Sequence, residues 1–173
     1  MDKERKYKFD WSLLGDPSVG RPNLGNSARV EIYRLMQFTL RDAIEARYDG
    51  DAADDVFHEA GMIAGREFYA HFLSDAKTFG GFIKLARDAM REYGMGILKI
   101  EEADDDARKI VMTVGEDLDC SGLPETGSQV CKFDEGFISG MMESFTGKRY
   151  NVREVDCWCT GDRTCRFAVE IAD

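Results

Sequence analysis

The spacing of apolar residues switches from helical to strand-like near residue 94, and this switch limits the possible folds. Before it, apolar side chains recur every three or four positions, which indicates amphipathic helices. After it, short β-prone runs around turns predict two hairpins, over residues 97–114 and 152–171. The predicted helices cover residues 29–48, 52–73, 78–93 and 130–145. Clustered helices and hairpin strands favour an α+β fold, in which an antiparallel sheet of about four strands packs against helices.

Two features of the predicted helices concern packing. The first helix is amphipathic, with an apolar stripe formed by Tyr33, Met36, Leu40, Ile44 and Tyr48. The second and fourth helices carry glycine pairs one turn apart, Gly61 with Gly65 and Gly136 with Gly140, which allow another backbone to approach closely. Because the strands are few and short, the sheet needs helices or a second subunit on its open face, which favours a homodimer.

The length of 173 residues suits one domain. We assign residues 1–20 to an N-terminal arm and residues 21–173 to a single domain. In the arm Tyr7, Phe9 and Trp11 alternate with polar residues, and we expect this segment to pack on its own domain rather than on a partner.

The charge balance bears on partners and location. Lys and Arg number 23 against 33 Asp and Glu, a net charge of −10, so we expect neither nucleic acid nor a membrane surface as a partner. No uncharged apolar run approaches the roughly 18 residues of a membrane-spanning helix. The N-terminus has no apolar core of a secretory signal, which makes the cytoplasm the expected location.

The cysteines are confined to the last third of the chain. They are Cys120, Cys131, Cys157, Cys159 and Cys165. An odd number without an export signal does not favour a disulfide framework, and no C-x-x-C redox motif is present. In a reducing compartment such a cluster indicates a metal site, with inert buried thiols as the alternative.

The final hairpin predicts part of that site. A turn centred on Gly161 places Cys157 opposite Cys165, with Cβ atoms about 4.5–5.5 Å apart. Two sulfurs on one tetrahedral zinc ion are about 3.8 Å apart, which this pair can reach. Cys131 would join them from the first turn of the fourth helix, where a thiolate is favoured. Spacing alone leaves Cys159 and Glu154 equal as the fourth ligand, and Glu154 needs a bend or bulge to reach the site.

The same residues carry a resemblance to a known family. Arg21-Pro22-Asn23-Leu24-Gly25, then Cys131 before Gly136-Phe137-Ile138-Ser139-Gly140, and finally Glu154-x-x-Cys157-x-x-x-Gly161-Asp162-x-x-Cys165-x-Phe167 resemble the 4-vinyl reductase (4VR) domain family over residues 21–173. The resemblance implies a fold shared with vesicle-tethering subunits and haem-based nitric-oxide sensors. It also implies a dimer that binds small hydrophobic molecules.

Several members of that family hold zinc through three cysteines and a glutamate. Carried over to this sequence, the implied zinc ligands are Cys131, Glu154, Cys157 and Cys165. Cys159 departs from the family pattern, where a small residue is usual, and leaves a four-cysteine site or ligand exchange open.

These features favour binding over catalysis. No nucleophile elbow, P-loop or dinucleotide fingerprint is present in the sequence. A zinc ion with four protein ligands stabilises structure rather than activating water. We therefore expect a zinc-stabilised cytosolic domain that senses or carries a small hydrophobic or aromatic ligand, in an apolar pocket between the helices and the sheet. The alternatives are a reductase of tetrapyrrole vinyl groups with an external electron donor, and a non-catalytic assembly subunit.

Overall fold

The computed structural model describes residues 6–104 and 106–172. Residues 1–5 of the predicted arm, Asp105 of the predicted acidic turn and the terminal Asp173 lie outside the described residues. The helices are α1 (Val30–Arg47), α2 (Gly50–Phe68), α3 (Phe79–Glu92) and α4 (Lys132–Thr146). A π-helical turn, Tyr69–Leu73, extends α2. All four predicted helices are confirmed, and the Thr78 hydroxyl caps α3 by accepting a hydrogen bond from Gly81 N–H.

The strands form one antiparallel sheet. They are β1 (Ile97–Ala103), β2 (Lys109–Gly115), β3 (Tyr150–Asp156) and β4 (Cys165–Ile171), in the order β1-β2-β4-β3. The two predicted hairpins are thus confirmed, and β2 pairs with β4 to join them. An irregularity in the β3–β4 register lies between Glu154 and Asp156.

The core lies between the sheet and α4. Alternate residues of the two central strands point into it, among them Met112 and Phe167, both 2% exposed or less. Behind α4, the glycines of α2 and α4 bring the two helix backbones into contact. A Cβ atom at Gly61 would collide with the Phe133 carbonyl oxygen, and one at Gly136 with that of His58. The close approach expected from the glycine pairs is confirmed.

Helix α1 is oriented unlike an ordinary amphipathic helix. The side of α1 that faces the domain carries Arg34 and Gln37, and Gln37 is 7% exposed. From the predicted apolar stripe, Met36 and Leu40 are instead 63% and 50% exposed. The reason is that α1 packs on a loop rich in backbone carbonyls and carboxylates, whose partners must be polar. The sequence pattern predicted the helix but not which side is buried.

The N-terminal segment packs along the helices. The Trp11 ring stacks on His71, with ring centroids 4.4 Å apart, and meets Phe72 edge-on at 5.1 Å. The backbone N–H of Trp11 also donates to the Glu67 carboxylate at 2.9 Å. The described part of the arm therefore lies on its own domain.

The sheet face opposite the core is charged. Arg166 pairs with Glu101 at 2.7 Å, and Lys109 pairs with Glu170 at 3.3 Å. This face is solvated by its own ion pairs, so the open sheet gives no reason for a second subunit. Within residues 6–104 and 106–172, no helix is long and apolar enough to cross a lipid bilayer.

Candidate metal centre and apolar cavity

Four cysteine sulfurs meet in the interior between α4 and the β3–β4 hairpin. They belong to Cys120, Cys131, Cys157 and Cys165, each 0% exposed. Cys131 immediately precedes α4, and Cys165 is the first residue of β4. Asp156 pairs with Arg166, which places Cys157 opposite Cys165 at the next position, as predicted. The fourth sulfur comes from the loop after β2, so three separate segments meet at one point.

The separations between the sulfurs match a single tetrahedral ion. Cys131 Sγ lies 4.0 Å from Cys157 Sγ and 3.8 Å from Cys165 Sγ. Cys120 Sγ lies 4.0 Å from Cys157 Sγ and 3.0 Å from Cys165 Sγ. All four sulfurs lie within 4.8 Å of one another. Tetrahedral zinc with bonds of about 2.3 Å needs sulfurs about 3.8 Å apart, so the residues fit this ion with small shifts.

Glu154 lies beside this cluster. The irregularity after Glu154 turns its side chain to the same side as Cys157, the bend that its approach required. Glu154 is 1% exposed, and its Oε2 accepts from Cys131 N–H at 3.3 Å. Its Oε1 has no hydrogen-bond partner among the described residues. Glu154 is thus adjacent to the sulfurs without being one of the four groups that converge.

Cys159 is buried, but its sulfur is not part of the cluster. It lies in the short 3-10 turn Trp158–Thr160 and is 1% exposed. Its carbonyl oxygen accepts from Thr126 N–H and Gly127 N–H, both at 2.9 Å. Of the two residues that spacing left equal, Glu154 therefore lies nearer the site, and Cys159 holds the loop through its backbone.

Without a metal, one thiolate would be shared among the four sulfurs. Hydrogen bonds from the thiols of Cys120, Cys131 and Cys165 lower the pKa of Cys157 well below the usual range of a thiol. Burial raises the pKa of Cys159 to about 11, so this thiol stays protonated. A bound divalent cation would deprotonate the remaining cluster thiols, because thiolates are its ligands.

Buried acids lie on one side of the sulfurs. Burial, with a contribution from Asp119, raises the pKa of Asp117 to about 7. Burial also raises the pKa of Asp134 and, to about 8, that of Glu154. Asp117 Oδ1 accepts from the N–H of Asp119 at 2.8 Å and of Cys120 at 3.1 Å. This turn fixes the backbone that presents the Cys120 sulfur.

Helix α1 holds the same loop from outside. The Tyr33 hydroxyl donates to Asp119 Oδ1 at 2.7 Å, and Gln37 Nε2 donates to Asp119 Oδ2 at 2.8 Å. The Arg34 guanidinium donates to the carbonyl oxygens of Leu118 and Ser121 at 2.8 and 2.9 Å. The polar side of α1 is therefore the surface that positions Cys120 and its neighbours.

An apolar cavity of about 440 Å³ adjoins this contact. Its walls come from the arm, α1, α2 and the start of α4, and not from the sheet as the sequence predicted. The cavity lies outside the main core because the glycine contact leaves no space between α2 and α4. The lining residues are Phe9, Leu14, Tyr33, Met36, Gln37, Leu40, Val56, Phe57, Ala60 and Phe133.

Cys120 is the functional residue that sequence reasoning missed. It lies in the loop between β2 and α4, where no periodicity gives its direction. The pattern Asp117-x-Asp119-Cys120 was the available signal, since an aspartate that caps a tight turn fixes the residue three positions later.

Comparison with known proteins supports this assignment of the chain. Residues 110–171 match the model of the vinyl-4-reductase (4VR) domain, a segment that contains all five cysteines. An uncharacterized protein of Methanocaldococcus jannaschii is 24% identical over 100% of this chain and 95% of its own length. A second one from the same organism is 28% identical over 87% of this chain and 82% of its own.

Solved structures share the fold. The phenol-responsive sensory domain of the transcription activator PoxR, with phenol, has a TM-score of 0.63 at 16% identity and covers 83% of this chain and 75% of its own. A trafficking protein particle complex subunit 3 from Naegleria fowleri, covalently bound to palmitic acid, also scores 0.63, at 17% identity, with 83% and 95% covered. A vinyl-4-reductase family protein of M. jannaschii scores 0.60 at 14% identity over 99% of both chains.

The H-NOX fold is similar as well. An H-NOX protein from S. oneidensis has a TM-score of 0.53 at 12% identity, with 80% of this chain and 74% of its own covered. The family and the α+β fold expected from the sequence motifs are confirmed.

Proposed function

We propose that this chain, whose residues 110–171 form a vinyl-4-reductase (4VR) domain, is a zinc-stabilised domain that binds one small hydrophobic or aromatic molecule in a sensor or carrier role. The apolar cavity of about 440 Å³ carries this proposal. Its volume lies in the range of about 300–1,000 Å³ typical of small-molecule sites. The shared fold supports it, since the PoxR domain holds phenol and the Naegleria subunit holds palmitic acid.

The four sulfurs define the proposed zinc site. Zinc accepts four thiolates in tetrahedral geometry, and a complete set of protein ligands leaves no position for water or substrate. Such an ion stabilises the fold instead of taking part in a reaction. Here it would tie α4 to the β3–β4 hairpin and to the loop that α1 holds.

We propose Cys120, Cys131, Cys157 and Cys165 as the zinc ligands. The family pattern implies Glu154 in place of Cys120, and Glu154 is buried beside the site with one oxygen unpartnered among the described residues. The sulfur of Cys120 is nevertheless one of the four atoms that converge, whereas Glu154 already accepts from Cys131 N–H. Glu154 then orients Cys131 from outside the coordination sphere.

The second component of the proposal is a homodimer formed through α1. Ile32 and Leu35 are 60% and 62% exposed on the outer side of α1, beside Met36. Contiguous exposed apolar side chains mark interaction surfaces, and here the polar side of the helix is used within the domain. A second copy of the same face would cover these side chains.

The dimer is tested by a double substitution that avoids the cavity. Ile32→Glu with Leu35→Glu is expected to convert a dimer to a monomer in sedimentation velocity, because buried unpaired carboxylates oppose association. The control Val155→Glu changes an apolar residue that is 38% exposed on β3 and should leave the dimer intact. A wild-type chain that sediments as a monomer at all concentrations would contradict this component.

The ligand proposal is tested by filling the cavity. Ala60 lines the cavity from α2 and is exposed, so Ala60→Trp should occupy the space with little effect on the core. We expect 1-naphthol to quench or shift fluorescence saturably at one site per wild-type chain, and Ala60→Trp to weaken this binding at least about tenfold. Ala43→Trp, at an exposed position of α1 outside the cavity, should bind as the wild type does.

Native mass spectrometry of freshly purified protein gives a second measurement. A small apolar molecule retained by the wild type and lost in Ala60→Trp is the expected result. No saturable 1-naphthol binding, or equal binding by Ala60→Trp, would contradict the assignment of the cavity.

A further inference from the structure

We propose that the ligand of the apolar cavity carries a hydrogen-bond donor, a hydroxyl or N–H group, that binds the side-chain oxygen of Gln37. This inference rests on the proposed function and specifies the chemical class of its ligand. Gln37 lies in the cavity wall, and most of the remaining lining is hydrocarbon or aromatic ring. One polar atom among such residues determines orientation and selectivity.

The orientation of the Gln37 amide is fixed by its neighbours. Asp119 accepts two hydrogen bonds, from the Tyr33 hydroxyl at 2.7 Å and from Gln37 Nε2 at 2.8 Å. A flipped amide would place its oxygen against the Asp119 carboxylate, where two acceptors repel. The Gln37 nitrogen is therefore committed to Asp119, and the oxygen is directed elsewhere.

The Gln37 oxygen is buried without a partner. The residue is 7% exposed, and Oε1 makes no hydrogen bond to any residue that the structure describes. An unsatisfied buried carbonyl is unfavourable, and native proteins rarely retain one without a reason. A ligand donor in the adjoining cavity would satisfy it.

Other polar groups of the cavity are already engaged. The Tyr33 hydroxyl, the other polar group of the lining, donates to Asp119. Over the described part of the chain, no Lys, Arg, Asp or Glu lines the cavity, so a charged ligand group would have no counterion there. The ligand that fits is a neutral apolar molecule with one donor.

A pair of matched probes tests this inference. 1-Naphthol and naphthalene share a ring system and differ by the hydroxyl donor. We expect the wild type to bind 1-naphthol at least about tenfold more tightly than naphthalene, as measured by fluorescence titration. Gln37→Met should weaken 1-naphthol binding about tenfold and leave naphthalene within about twofold, which removes the preference.

Tyr33→Phe is the matched control. It also removes one hydrogen bond to Asp119 and one polar group from the lining, but it keeps the Gln37 oxygen, so the preference for 1-naphthol should remain. Equal wild-type affinities for the two probes, or an unchanged preference in Gln37→Met, would overturn the inference and leave the apolar ligand site in place. Absence of binding by both probes would overturn the ligand site as well. The wild-type comparison requires no variant, so it decides the question even if Gln37→Met does not fold.

Discussion

Cys165→Ser is expected to release the metal and to lower the free energy of unfolding by more than about 4 kcal/mol. Cys165 Sγ lies 3.0 Å from Cys120 Sγ and 3.8 Å from Cys131 Sγ, so it occupies the middle of the cluster. A hydroxyl is a poor zinc ligand, and the three remaining thiolates would be left buried with unbalanced charge. Zinc content by plasma emission and urea unfolding monitored by circular dichroism measure the two effects.

Cys159→Ser is the matched control for this substitution. Cys159 is as buried as the cluster cysteines, and the same atom is exchanged, but its sulfur lies outside the cluster. We expect this variant to retain zinc and to lose only the small amount of stability that a buried hydroxyl costs. Equal loss of zinc in both variants would contradict the assigned ligand set.

Gly136→Ala is expected to destabilise the protein by about 3 kcal/mol. The added Cβ atom would collide with the His58 carbonyl oxygen, which belongs to the α2 backbone and cannot rotate away. The two helices would have to separate along the contact that also includes Gly61. Urea unfolding of the wild type and the variant measures this change.

Gly80→Ala tests the same substitution in open space. A Cβ at Gly80, in the first turn of α3, meets no atom within 4 Å. We expect this variant to be as stable as the wild type or more stable by about 0.5–1 kcal/mol, because alanine favours the helix. If Gly136→Ala also unfolded like the wild type, the helix contact would be looser than the structure shows.

Element type and order followed from the sequence because local patterns determine them. Period-two runs and a turn predicted the β3–β4 hairpin, and the antiparallel register then placed Cys157 opposite Cys165. The glycine spacing predicted the α2–α4 contact for the same reason, since the side of a helix follows from residue number.

Other features depend on contacts that no local pattern records. The stripe containing Met36 looked like a core face, but the loop that α1 meets offers carbonyls and the Asp119 carboxylate, which select Arg34 and Gln37. The cavity therefore formed beside α1 and not over the sheet. Cys120 was missed because the direction of a loop side chain is set by hydrogen bonds such as the one from its N–H to Asp117.

X-ray absorption at the zinc edge tests the four-cysteine site most directly. The purified wild type is expected to contain one zinc ion per chain, with four sulfur neighbours at about 2.3 Å. Glu154→Gln should leave this spectrum unchanged, and Cys120→Ser should remove one sulfur. Three sulfurs with an oxygen at about 2.0–2.2 Å that disappears in Glu154→Gln would assign the fourth position to Glu154 instead. A wild-type protein that folds equally well and takes up no zinc after reconstitution would contradict the account as a whole.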